Sequence, residues 1–109
     1  MTDSAEASLE LIIERIEREY SNFSVSSRWG RRQLMLDRKM FATFSELDMS
    51  FKLGEDQLRQ AYSIDGAETW NPKGRKNPPR SWVMVPVSQN RHWMPLALEA
   101  AEYLSKSGS

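Results

Sequence analysis

The residues of this chain best suited to chemistry are its cations, gathered in two stretches. Residues 24–44 hold Arg28, Arg31, Arg32, Arg38 and Lys39 against Asp37 alone, a net charge of plus four. Residues 69–95 hold Lys73, Arg75, Lys76, Arg80 and Arg91 with no acid. Lysine and arginine neutralise phosphates and release their counterions, so such stretches suit a nucleic-acid backbone and give salt-sensitive binding. Trp29 and Trp70 flank them, and aromatic rings stack on bases or sugars. The plainer reading of the same residues is a pair of solvated turns with tryptophans covering sheet edges. The chain is neutral overall, with 15 basic and 15 acidic residues, and lacks the net basic footprint of most nucleic-acid binders. Its charge is unevenly spread: residues 1–20 carry six acids against Arg15 and Arg18, a net of minus four. An acidic start and basic loops can steer a protein partner or a second copy as well as a polyanion.

Metal and catalytic chemistry find few residues. Cysteine is absent and His92 is the one histidine, whereas zinc wants several nitrogen or sulfur ligands. Glu46/Asp48 and Glu55/Asp56 lack the spacing of a calcium or magnesium loop. No metal and no cofactor is therefore expected. His92 sits between Arg91 and Trp93, at the start of a helix. It reads as a surface or capping histidine rather than the base of a nucleophilic triad. No phosphate-binding glycine motif occurs. No catalytic residue is assigned and the chain is expected not to be an enzyme.

These residues must be positioned by short elements. Leu9, Ile12, Ile13, Ile16 and Tyr20 form one apolar stripe at helical period. They predict a helix over about 4–20, capped by Asp3 with Glu6, or by Ser4. Gln33–Leu36 and Lys39–Phe44 are short apolar runs about a tight Asp37-Arg38 turn. Arg38 stands where such a turn prefers glycine. Met49, Phe51 and Leu53 alternate with Ser50, Lys52 and Gly54, the period of a half-buried strand. Gly54 opens a short helix with Leu58, Ala61 and Tyr62 on one side, and Asp65-Gly66 marks a turn. Glu68–Trp70 is a weak strand and residues 71–79 a loop rich in proline and cations. Ser81–Val85 is a strong strand that Pro86 stops. A last helix starts between Asn90 and Trp93. It buries Trp93, Leu96, Ala97, Ala100, Ala101 and Leu104, and frays after Leu104. Strand periodicity sends Met35, Met40, Met49 and Met84 into the core and leaves Met94 at the surface. The order is α-β-β-β-(β)-α-β-β-α. That order predicts an α+β fold: a single antiparallel sheet with N- and C-terminal helices and one short middle helix.

No repeat and no linker divides the chain, so residues 1–109 are expected to form one domain with an ordered core over about 4–104. There is no apolar run of the roughly 20 residues needed to cross a bilayer. The acidic, polar start is unlike a secretory signal or transit peptide, which makes the cytoplasm the default compartment and no membrane partner expected.

The stretch RWGRRQLMLDRKMFATFSELDMSFKLG, then WVMVP, then a closing helix resembles the TfoX N-terminal domain. Lys39-Met40 and Trp82-Val83 match that family's strand-opening pair and late strand. Trp29-Gly30-Arg31 matches its aromatic-Gly-Gly loop only in part, and the hairpin glycine is replaced by Arg38. The resemblance spans about residues 8–104. It implies a regulator of competence for DNA uptake, and the related MmcQ/YjbR family implies a double-wing DNA-binding shape. Residues and resemblance together predict a non-enzymatic regulatory or adaptor domain that binds DNA through the two basic loops. The binding set is Arg28, Trp29, Arg31, Arg32, Arg38, Lys39, Trp70, Lys73, Arg75, Lys76 and Arg80. The alternative is a protein–protein interaction module or homodimer without nucleic acid.

Overall fold

A computed structural model describes residues 4–28, 30–71, 74, 76 and 81–107. Helix α1 spans Ala5–Glu19. Four strands follow: β1 Phe23–Arg28, β2 Arg31–Leu36, β3 Lys39–Phe44 and β4 Asp48–Lys52. Then come α2 Glu55–Ala61, β5 Glu68–Thr69, β6 Trp82–Pro86, a 3₁₀ segment Val87–His92 and α3 Trp93–Ser107. The strands form one antiparallel sheet in the order β1-β2-β3-β4-β6-β5. The fold is α+β, as the periodicities predict.

Helix α1 starts where Ser4, rather than Asp3, caps it. The Ser4 hydroxyl accepts from the Ala7 N–H at 3.0 Å, satisfying one of the donors a helix start leaves open. Its stripe of Leu9, Ile12 and Ile16 is buried. Helix α3 buries Trp93, Leu96, Ala97, Ala100, Ala101 and Leu104, and Pro95 occupies its first turn. It continues three residues past Leu104, to Ser107, where fraying was expected. A Lys106–Glu102 ion pair one turn apart supports that end.

Strand β1, which no apolar run announces, is written FSVSSR and forms by pairing with β2. The Asp37-Arg38 turn has φ of 50° and 67° at its two residues. This is the left-handed pair of a two-residue hairpin, adopted here without glycine. A bulge lies one residue on: Leu34 faces Ala42 and Met35 faces Met40, so Phe41 is the extra residue of β3. The bulge turns Phe41 into the core, where it is fully buried.

The helices share one face of the sheet. Phe44, Met49, Phe51, Val83 and Val85 point to them and form a core with Trp93. Phe44 meets Trp93 edge-on at 6.0 Å, and the Trp93 indole N–H donates to the Val85 carbonyl. Alternation sends the intervening residues to the opposite face. Only Met49 of the four strand methionines is therefore in the helix-side core. Met35, Met40 and Met84 sit half-buried on the other face, contrary to expectation. The three lie at the other parity of their strands, and apolarity alone does not distinguish the two faces of a sheet. Met94 is half-buried against the core rather than at the surface.

Candidate nucleic-acid interface

Arg31 and Arg32 are adjacent in sequence, and a strand sends adjacent side chains to opposite faces. Arg32 rises into the helix layer. Two of its nitrogens donate to the two carboxylate oxygens of Glu6, both at 3.0 Å, and its guanidinium lies over the Phe44 ring. Arg31 lies on the helix-free face. It donates to Thr43 at 3.1 Å and Asp48 at 3.2 Å. Both arginines are thus held by acids from distant parts of the chain, and their charge is compensated locally.

The antiparallel strands also separate the first cationic stretch into two ends. Arg28 and Arg31 close the β1–β2 hairpin at one end of the sheet. Arg38 and Lys39 lie at the β2–β3 hairpin, at the other end. Strand β4 finishes at that second end with Lys52, β6 begins there with Trp82, and β5 finishes there with Thr69. Residues 70–81 therefore leave and rejoin the sheet at the end that carries Arg38. The hairpin and the root of this loop are about three strand spacings apart, or about 14 Å, of the order of a DNA major groove.

Arg28, Arg38, Lys39 and Lys76 are exposed, and Lys52 is half-buried. Trp29, Lys73, Arg75 and Arg80 lie outside the described residues. Trp70 is half-buried and packs on Trp82 with ring centroids 4.5 Å apart. Trp82 is 7% exposed, so its face is spent on that contact rather than open to a base. Lys52 joins this end although it lies outside both cationic stretches. Its place opposite Trp82 follows from the β4–β6 register, which no local pattern reveals.

The helix-free face has a row at this end that is apolar but for one lysine: Met35 and Met40 directly paired, then Lys52, Trp82 and Trp70. Beside it runs a polar row of Ser26, Gln33, Thr43 and Ser50, continued by Met84 and Glu68. Two open grooves lie elsewhere. One of about 680 Å³ lies between the start of α1, Glu46 and the 3₁₀ segment. The other, about 260 Å³, runs between α2 and α3 and is lined by Gln57, Gln60, His92 and Glu99. Burial, then Glu102, pushes the Glu99 carboxyl above its usual range. The His92 ring accepts from the Arg91 Nε–H at 3.3 Å. Among the described residues no three His, Cys, Asp or Glu side chains are grouped to hold a metal ion. No helix among them is long and apolar enough to cross a membrane.

No protein family, curated protein or solved structure matches this chain.

Proposed function

We propose that this chain is a non-catalytic regulatory or adaptor domain of the TfoX N-terminal type that binds the DNA backbone through one end of its sheet. The two cationic segments are the Asp37-Arg38 hairpin and residues 71–80, which join β5 to β6. Arg38, Lys39 and Lys76, with Lys73, Arg75 and Arg80 of the same loop, supply the phosphate contacts. Such contacts set affinity and register and read little sequence. Arg31 and Arg32 leave the binding set, because their charges are already matched.

One observation carries this reading. Arg38 holds φ at 67°, a conformation that costs a non-glycine residue roughly 1–2 kcal/mol. Glycine or asparagine would make the same turn without that strain. Strain of this kind persists where the side chain serves something other than the fold. An exposed guanidinium at a hairpin tip, at the end of the sheet where β5 finishes and β6 begins, serves an anionic partner.

The test is a salt titration of binding to a generic DNA duplex. Each phosphate contact adds about 0.9 to the slope of log affinity against log salt. Arg38→Gly with Lys76→Ala should therefore lower the slope by about 1.8 while the protein stays folded, since glycine relaxes the turn. A slope unchanged by this pair, or no binding at low salt, removes the proposal. A second reading, a protein-binding module, rests on the paired Met35 and Met40 of the helix-free face, because methionine makes adaptable surfaces. It gains if DNA binding is absent and sedimentation shows association.

A further inference from the structure

The two edges of this sheet differ. Strand β5 is two residues long, too short to template another strand. Strand β1 is six residues long and carries none of the usual guards against strand addition. It has no proline, no lysine and no bulge, and its one charge, Arg28, stands at its end. In an antiparallel pair, alternate residues direct their backbone groups to the partner. Arg28 and Arg31 close a two-residue hairpin, and the Asp37 N–H donates to the Asn22 carbonyl. Even-numbered residues of β1 therefore bond to β2. The N–H and C=O groups of Phe23, Val25 and Ser27 point to the open edge.

The flank of α1 above this edge is acidic. Glu6, Glu10, Ile13 and Glu17 recur at i, i+4, i+7 and i+11, one side of the helix. The Glu6–Arg32 pair turns this side toward the sheet. Ser8, on the other flank, accepts from Asn90 of the 3₁₀ segment and so marks the side facing α3. Glu10 and Glu17 are exposed, and no ion pair among the described residues uses them, whereas Glu14 and Glu19 are paired with Arg18 and Arg15. Beneath the acids, Val25 is 38% exposed, and Phe23 and Ile13 are half-buried against the core.

We infer that the β1 edge and the acidic flank of α1 form a docking site for an extended basic peptide, which adds as an antiparallel strand. Backbone bonds to Phe23, Val25 and Ser27 supply the pairing, the mode of β-strand addition. Every second peptide side chain faces the helix layer. A lysine or arginine there covers Val25 with its aliphatic stem and places its charge against Glu10 or Glu17. A second copy of this chain fits less well, because its own α1 would bring acids toward acids. The site is independent of the DNA-binding end and does not rest on it.

The probe is a heptapeptide alternating lysine with valine, with its glutamate–valine counterpart as control, titrated into the isotope-labelled full chain. Expected are amide shifts and slowed hydrogen exchange at Phe23, Val25 and Ser27, with the acidic peptide binding at least tenfold more weakly. Glu10→Lys with Glu17→Lys, both on an exposed helix surface, should reverse that preference. Val25→Pro should weaken binding at least tenfold with the fold kept, since the lost N–H is not used in the sheet. Equal binding of both peptides, or shifts confined to other residues, overturns the inference. So does protection of these amides by self-association without peptide, which would assign the edge to a second copy.

Discussion

The two ends of strand β2 use arginine in opposite ways. At the end where β2 begins, Arg31 and Arg32 are enclosed by Asp48 and Glu6 and join the sheet to its neighbours. At the end where β2 turns into β3, Arg38 stands exposed in a strained conformation. The same residue type is structural where an acid from another element reaches it and available where, among the described residues, none does. Cation density in sequence therefore overstates a binding surface, and the pairing of each cation has to be known before it is assigned to a partner.

The largest test of this contrast is Arg31→Ala. It leaves the Asp48 carboxylate, 18% exposed, without its cation, and a stranded polar group of this kind costs about 2 kcal/mol. Thermal unfolding should fall accordingly, while the salt slope of DNA binding stays as it was. Arg38→Gly should do the reverse. Relief of the left-handed backbone raises stability by about 1 kcal/mol, partly offset by a freer unfolded chain, and DNA binding weakens. A loss of stability in Arg38→Gly would show that the guanidinium is structural after all. Arg32→Ala should cost under about 1 kcal/mol, because its pair with Glu6 is partly exposed. High salt should shrink that difference further.

Smaller effects sharpen the picture of the two faces. Ser50 is fully buried on the helix-free side and its hydroxyl has no hydrogen-bond partner among the described residues. Ser50→Ala should leave the melting temperature unchanged or slightly higher. Glu99 offers a pH test. Its carboxyl is raised in the folded protein by burial and by Glu102, so the folded state holds that proton more tightly than the unfolded one. The stability this contributes is present at low pH and is lost as pH rises from the usual glutamate value of 4.5 through the raised one. Glu99→Gln should flatten that dependence in denaturation curves measured across it.

Much of the fold is legible because helices and strands write their periods locally. The stripes Leu9–Ile16 and Trp93–Leu104 reveal α1 and α3, and the Met49–Leu53 alternation reveals β4. Strand β1 is not legible, because a serine-rich edge has little apolar pattern and exists by pairing with β2. The methionines mislead for a related reason. Both faces of this sheet hold apolar side chains, so parity rather than hydrophobicity decides which face each one joins. At the candidate interface, composition picks out the cationic stretches but is silent on which cations already have acids. Glu6 is 26 residues from Arg32, and Asp48 is 17 from Arg31. Partners so far apart leave no spacing to read.

Sequence alone determined most of the elements of this protein: which segments coil, which turn and, β1 apart, which extend. These follow from side-chain periodicity and backbone preference, which act over a few residues. Tertiary structure decided which of the described charges are paired. Strand order set Arg38, the end of β5 and the start of β6 at one end, pleating split Arg31 from Arg32, and packing left β1 as an open edge beneath the acids of α1. Electrostatic pairing acts through space, and the chain brings those groups together only once its sheet has closed its register.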